Sequence, residues 1–206
     1  MASTKLQNYF PLHLAVTVLL GAVVGVVTVF GQTYLPGNLN PVASLGTVWL
    51  CPAFFYSGIA KNKFLSAISA TLCLMCAIFG YYLFQSHWSD YPFSIGYHIT
   101  MWLCCSVVAG IIFGTAGYLW YHKEEKWHPL GLSVLSSVFL ADGLTMLLHL
   151  QRFRPILPVA LAEIIVGSLF ILVCEKDEKN RMKSFSFVAP ITILGLIGYE
   201  ILYIFY

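Results

Sequence analysis

Nearly the whole chain consists of apolar runs that are long enough to cross a lipid bilayer. A transmembrane helix needs about 20 apolar residues, and the candidate runs cover residues 10–31, 42–60, 64–85, 93–121, 130–150, 155–174 and 185–206. Only helices and closed barrels satisfy their backbone hydrogen bonds in lipid, and these runs do not alternate as strands do. The sequence predicts an all-α membrane bundle of seven transmembrane helices, or six if the run 42–60 does not span.

Composition excludes a soluble fold and limits the number of domains. Charged residues make up 10% of the 206 residues and hydrophobic residues 59%, whereas a soluble domain is about a quarter charged. No stretch between the runs is long enough for a separate domain, so residues 1–206 are expected to form a single transmembrane domain. The net charge of +2 is too small to indicate a nucleic-acid partner.

Basic residues are concentrated on one predicted side of the membrane. With seven spans and a cytoplasmic N-terminus, the outside holds only Arg152 and Arg154. The inside then holds Lys5, Lys61, Lys63, Lys123, Lys126, Lys176, Lys179, Arg181 and Lys183. Because Lys and Arg favour the cytoplasmic side, we expect a multi-pass protein of the cell inner (plasma) membrane with its C-terminus outside.

Three carboxylates, Asp142, Glu163 and Glu200, lie inside apolar runs. A charge in hydrocarbon costs several kcal/mol unless it is paired or lines a cavity, so intramembrane acids are candidates for a functional site. Counting 1.5 Å per residue from the predicted helix ends places these acids and His98 about 9–12 Å deep. All four fall in the outer half of the bilayer, and we predict that they line one cavity there.

Helical spacing adds Trp102, His149 and Arg152 to the predicted site, and Arg154 is added because it lies outside the membrane next to Arg152. Asp142, His149 and Arg152 share one helix face, and His98 shares a face with Trp102. The acids would hold a cationic or hydroxyl-bearing group, the histidines would form hydrogen bonds, and Trp102 would stack. The predicted ligand-binding residues are Asp142, Glu163, Glu200, His98, Trp102, His149, Arg152 and Arg154.

Both kinds of charged residue also have a structural interpretation. The acids can pair with Arg152 or Arg154 simply to hold helices together. The two arginines can grip an anionic ligand group bidentately or anchor a lipid phosphate.

Binding and transport of a small polar or amphipathic ligand, through a cavity in the outer half of the bilayer, is the first functional hypothesis. The chain has no H-E-x-x-H, G-x-S-x-G or Walker A sequence, and we predict no catalytic residue, metal site or cofactor. One alternative is a membrane enzyme acting on a lipid or lipid-linked substrate, with His98 or His149 as acid or base and a carboxylate orienting it. Another is a non-catalytic assembly or regulatory protein.

Several segments carry a resemblance to known proteins. They are Leu39-Asn-Pro-Val-Ala-Ser-Leu-Gly-Thr-Val-Trp49, Ala53-Phe-Phe-Tyr-Ser-Gly58, Val138-Phe-Leu-Ala-Asp142 and Ala162-Glu163. Together they resemble an uncharacterised family of small bacterial multi-pass membrane proteins. That resemblance implies a bacterial inner-membrane protein and assigns no function.

A looser likeness concerns the face formed by Gly21, Ala22 and Gly25. It is similar to the face by which substrate-binding subunits of energy-coupling-factor vitamin transporters dock on a membrane partner. Those subunits lack an ATPase and hold a ligand in the outer half of the bilayer. The likeness implies a partner membrane subunit at Gly21 and Gly25, beside membrane lipids and a small-molecule ligand. Packing between helices of this chain is the other interpretation of these small residues.

Overall fold

A computed structural model describes residues 2–87, 95–123 and 126–205, and every secondary-structure element in them is helical. The helices are α1 Ala2–Tyr34, α2 Gly46–Ser57, α3 Lys63–Ser86, α4 Tyr97–Tyr121, α5 His128–Leu148, α6 Leu150–Phe153, α7 Leu157–Cys174 and α8 Glu178–Phe205, with 3-10 helices at Gly37–Ser44 and Arg154–Ile156. The predicted all-α helix bundle is confirmed.

Six helical segments of the described chain are long and apolar enough to cross a membrane. They are Phe10–Tyr34, Lys63–Ser86, Tyr97–Tyr121, His128–Leu148, Leu150–Cys174 and Glu178–Leu202. Their outward surfaces are apolar: Val173, Leu194 and Ile204 are 69%, 67% and 79% exposed. Such side chains are stable at a surface that faces lipid, so the chain is a multi-pass membrane protein.

The remaining predicted run, residues 42–60, contains a helix too short to span alone. Helix α2 has 12 residues, which is about 18 Å against a hydrocarbon core of about 30 Å. The break has a local cause, because Pro36 and Pro41 lack a backbone N–H and Gly37 has a left-handed φ of 56°. The chain forms a 3-10 helix and an extended residue, Leu45, before α2 begins.

Helix directions show that this segment nevertheless returns through the bundle. Helices α1 and α3 run parallel, because His13 contacts Ser69 near their starts and Tyr81 donates to Gln32 near their ends. The chain therefore has to recross between them. Helix α2 does so antiparallel to α1, with Trp49 donating to Thr28 at 2.9 Å. Among the described residues, the second crossing is discontinuous and the other six are continuous.

Small residues bring the helices close together. A Cβ at Gly21 would collide with the carbonyl oxygen of Cys73, and one at Gly25 with that of Ala77. Both glycines are thus used in the α1–α3 contact within the chain, so a partner subunit docking on them would have to displace α3. Serine hydroxyls add interhelical hydrogen bonds, such as Ser66 to the Gly114 carbonyl at 2.6 Å.

The two ends of the bundle differ in charge. His122 contacts the Ala60 carbonyl at 2.9 Å, and His128 contacts Glu175 at 2.7 Å, so the turns next to most of the lysines meet at one end. We call this the lysine end. The turn through Arg152 and Arg154 lies at the opposite, arginine end. The separation of these lysines from the two arginines is the same one that predicted how the chain is oriented in the membrane. The orientation itself stays a prediction.

Several predicted helix starts differ from the observed ones, and α1, for example, begins at Ala2 and not at residue 10. The fourth run was expected from residue 93, but residues 93–94 lie outside the described part and α4 begins at Tyr97. The last run was expected from residue 185, whereas α8 begins at Glu178. Its polar first turn is helical because Asp177 caps it, accepting from the Asn180 amide at 2.9 Å.

Candidate functional site

Asp142 on α5 and Glu163 on α7 are both buried, with 7% and 6% of their surface exposed. Each lies six residues from the end of its helix nearest the arginine end, at Leu148 and Leu157. That spacing is a depth of about 9 Å. The common depth predicted for these two acids agrees with their place in the bundle, and the structure brings them together.

Hydroxyl groups from two other helices contact this pair. Thr47, in the first turn of α2, donates to Glu163 Oε1 at 2.9 Å and is fully buried. The Tyr199 side chain of α8 lies beside Asp142, close enough for its hydroxyl to interact with the carboxyl group. A Cβ built on Gly46 would lie 4.0 Å from the Tyr199 hydroxyl oxygen, so the start of α2 lies close to both Glu163 and Tyr199. We call Thr47, Asp142, Glu163 and Tyr199 the acid cluster.

The acid cluster has more acceptor capacity than the protein fills. Glu163 Oε2 is buried and has no hydrogen-bond partner among the described residues. Within the same part of the chain, neither Asp142 nor Glu163 forms an ion pair with Lys, Arg or His. The two carboxyl groups also interact electrostatically with each other. Two buried acids without a basic partner need a proton or a bound cation to offset their charge.

His149 and Glu200 form a second, separate pair. His149 Nε2 lies 2.8 Å from Glu200 Oε1, and their side chains are 31% and 46% exposed. His149 is seven residues beyond Asp142 on α5, or about 10 Å nearer the arginine end. The pair therefore stands between the acid cluster and the surface at that end.

The two arginines do not pair with the buried acids. Arg152 and Arg154 are exposed on the connection between α5 and α7, and the Arg152 guanidinium lies 5.9 Å from the Phe153 ring centre. In the described residues neither arginine forms an ion pair with Asp142 or Glu163, so the structural interpretation by which the arginines hold these acids is not supported. Binding of an anionic ligand group or of a lipid phosphate by these exposed arginines stays a prediction.

His98 and Trp102 lie on α4, which packs against α2, α3 and α5. His98 is exposed in the first turn of α4, because that helix begins at Tyr97 and not near residue 92, so His98 is shallower than predicted. Trp102 is half-buried one turn further along. The acid cluster is built by α2, α5, α7 and α8 without either side chain.

Two cavities lie elsewhere in the described structure. One is an apolar groove of about 550 Å³ between α3 and α4, which includes Phe64, Ile68 and Ile111. The other, of about 1020 Å³, lies at the lysine end. None of the eight predicted ligand-binding residues lines either of them, and no group of three or more His, Cys, Asp or Glu in the described residues is placed to hold a metal.

Thr47 and Tyr199 were not predicted as site residues. Depth was counted only for carboxylates and histidines, because a lone threonine or tyrosine in an apolar run is ordinary. Tyr199 precedes Glu200 directly, so the same count applied to hydroxyl groups would have placed it at that depth. Nothing in the sequence places Thr47 beside Glu163, because the break before α2 determines its position.

One comparison with known proteins gives a match. A family model described as "Family of unknown function (DUF6518)" matches residues 4–204. No curated protein and no solved structure matches the chain. The predicted resemblance to an uncharacterised family is confirmed, while the looser likeness to energy-coupling-factor subunits gains no support.

Proposed function

We propose that this chain, which belongs to the family of unknown function DUF6518, is a membrane transport protein that binds a small cation, a protonated amine or a proton at the acid cluster. The observation that carries the proposal is the pair of buried carboxyl groups with hydroxyl neighbours and no basic partner in the described residues. Acids inside a membrane are rare and mark ion or substrate pathways.

The donor set favours a cation over the broader range of polar or amphipathic ligands that the sequence predicts. The cluster offers only oxygen atoms, from two carboxyl and two hydroxyl groups. Oxygen ligands suit hard cations and ammonium groups. Glu163 Oε2 supplies a buried acceptor that the protein leaves unfilled.

The discontinuous second crossing also favours transport. In many transporters a broken helix places the end of a half-helix at the binding site. Helix α2 begins at Gly46, after an extended residue, and its first turn supplies Thr47 to Glu163. The positive end of the α2 dipole lies beside Glu163 and stabilises the ionised form of its carboxyl group, which keeps a negative charge available to a cation. An interrupted segment can also change conformation without unwinding a full span.

The His149–Glu200 pair supports access from the arginine end, which we predict to be outside. Both side chains are partly exposed, and they lie on the two helices that carry Asp142 and Tyr199. A cation entering there would meet Glu200 before it reached Asp142. A cavity around this route, shared with His98 or Trp102, stays a prediction.

The test is cation-dependent thermal stability of the purified protein in detergent. Sodium, lithium, potassium, choline and putrescine chlorides would each be compared with N-methylglucamine chloride. A ligand at 100 times its Kd stabilises the folded state by about 2.7 kcal/mol, so at least one cation should raise the melting temperature. Asp142→Asn and Glu163→Gln should melt close to wild type and lose that increase.

The matched control is Glu178→Gln, which removes an exposed carboxylate at the start of α8. It should keep the cation effect. Proton binding is tested separately, by proton uptake into proteoliposomes that contain a pH-sensitive dye. Transport is contradicted if wild type shows neither cation stabilisation nor proton uptake, and marked unfolding of both amide variants would instead favour an assembly role.

A membrane enzyme is the second candidate, favoured by one observation. Glu200 lies 2.8 Å from His149 Nε2, as a carboxylate that orients an acid or base histidine would. Hydrolysis of phospholipid vesicles containing the purified protein, followed by mass spectrometry, separates the two functions. His149→Gln should abolish product formation if the enzyme hypothesis holds, and product should be absent with wild type if transport holds.

A further inference from the structure

The lysine end contains a cavity of about 1020 Å³, at the opposite end of the bundle from the acid cluster. Two connections of the chain, about 50 residues apart in sequence, form its walls. The lining lysines are Lys123, Lys126, Lys176, Lys179 and Lys183. Ammonium groups from two distant segments thus line one concave surface, together with the carboxylates of Glu175 and Asp177.

The two carboxylates of the lining, Glu175 and Asp177, form no ion pair with these lysines in the described residues. Glu175 pairs with His128 at 2.7 Å, and both side chains are buried at 6% and 8% exposure. Asp177 accepts from the Asn180 amide and caps α8. In the described part of the chain the ion pairs involve none of the five lysines, although Lys126 lies 5.1 Å from the Trp127 ring centre.

The buried His128–Glu175 pair forms a fixed floor. His128 Nδ1 lies 2.9 Å from the Trp120 carbonyl oxygen, which only accepts, so Nδ1 carries a proton. Nε2 then faces Glu175. Nδ1 is thus occupied within the protein, while Glu175 Oε2 has no hydrogen-bond partner among the described residues. The lysine ammonium groups are the donors that an incoming anion meets.

The remaining lining gives the cavity an amphipathic character. Trp120 and Tyr121 end α4, and Cys174 ends α7. These residues mark the level at which a membrane span meets the headgroup layer. An anion bound there can keep a hydrocarbon tail beside the helices while its charged group lies among the lysines.

We propose that this cavity binds the phosphate group of an anionic lipid. Basic pockets between transmembrane helices are known to hold such headgroups, and lysine binds phosphate as a point charge. The alternative source of the same chemistry is a soluble phosphate ester. The proposal is independent of the acid cluster, which lies near the other end of the bundle.

The experiment measures binding of dihexanoyl phosphatidic acid to the purified full-length protein by isothermal titration calorimetry. Dihexanoyl phosphatidylcholine and glycerol phosphate serve as the two comparison ligands. Phosphatidic acid should bind at least tenfold more tightly than either. Equal binding of glycerol phosphate would retain the phosphate site and overturn its assignment to lipid, and equal binding of phosphatidylcholine would overturn the phosphate site.

Two double variants separate the cavity from the general charge of this end. Lys179→Gln with Lys183→Gln removes two charges from the lining, and both residues are exposed, so the packing of α8 is kept. Lys61→Gln with Lys63→Gln removes two charges from the same end outside this lining. The first should weaken phosphatidic acid binding at least tenfold and the second less than twofold. Equal effects, or no effect of the first, would overturn the proposal.

Discussion

At the residue scale, the acid cluster depends on hydroxyl donors that satisfy a buried carboxyl group. Thr47→Val keeps the size of the side chain and removes its donor to Glu163 Oε1. A buried acceptor left without a donor costs about 1–3 kcal/mol, so the free energy of unfolding should fall by about that amount. Reversible unfolding in mixed micelles measures it.

Thr33→Val is the matched control for that substitution. The Thr33 hydroxyl donates to the Val29 carbonyl within α1, and the residue is exposed. Its loss should change the unfolding free energy by under about 0.5 kcal/mol. Combining Thr47→Val with Glu163→Gln gives a double-mutant cycle. Strict additivity in that cycle would show that the Thr47–Glu163 contact does not contribute to the free energy of unfolding.

The His149–Glu200 pair should contribute little to stability. Its side chains are 31% and 46% exposed, and partly exposed ion pairs are typically worth under about 1 kcal/mol. Glu200→Gln should therefore leave the unfolding free energy within about 1 kcal/mol of wild type. A larger loss in the same micelle assay would assign the pair a structural role and weaken its place on the access route.

At the element scale, two glycines allow α1 to approach α3. A Cβ at Gly25 would lie 2.5 Å from the Tyr81 amide nitrogen and would also collide with Ala77. Gly25→Ala should therefore separate the helices and destabilise the protein by about 1–3 kcal/mol. Gly198→Ala, where nothing lies within 4 Å, should be neutral or stabilising by up to about 1 kcal/mol.

Comparing these two variants tests how the small-residue face is used. If Gly25 faced a separate subunit, Gly25→Ala would unfold like wild type in the isolated protein. It would then reveal its effect only in binding to that partner. Unfolding of the purified variants in detergent distinguishes the two, because no other subunit is present.

The length of each apolar run predicted the six continuous helices, but it did not predict that the run 42–60 contains only the short helix α2. Six long segments appear where apolar runs without internal breaks predict them, since lipid allows such a run few other conformations. The run 42–60 is also apolar, but it begins beside Pro36, Gly37 and Pro41, and only 12 of its residues form α2. The backbone chemistry of proline and glycine contributes to that break, and an apolar-run count does not include it.

For the candidate site, the depth of a residue in the membrane could be predicted from the sequence, whereas its neighbours could not. Distance along a helix gives depth, and the common depth of Asp142 and Glu163 followed from the sequence. Neighbours at that depth depend on how helices pack, which the sequence pattern does not specify. His98 was grouped with these acids on depth alone, although it lies on the exposed first turn of α4.

At the scale of the whole molecule, the direction of each helix decides where the two ends of the chain lie. Because α1 and α3 run parallel, α2 crosses between them. Together with the six long helices of the described chain, it makes seven crossings, an odd number. Residues 10 and 202 therefore lie at opposite ends of the bundle. The concentration of lysines at one end predicts that this end is cytoplasmic. The acid cluster would then lie in the outer half of the bilayer, and the lysine cavity would face the inner leaflet, where anionic lipids are enriched.

Labelling with a membrane-impermeant maleimide tests this orientation in intact cells. The six native cysteines would first be replaced by serine or alanine, because they are free thiols, and single cysteines would be introduced as Arg154→Cys or Lys179→Cys. Both positions are exposed, so access depends only on the side of the membrane. Arg154→Cys should be labelled directly and Lys179→Cys only after permeabilisation. The reverse pattern would invert the topology, placing the arginine end and its route to Asp142 in the cytoplasm and the phosphate-binding lysines outside.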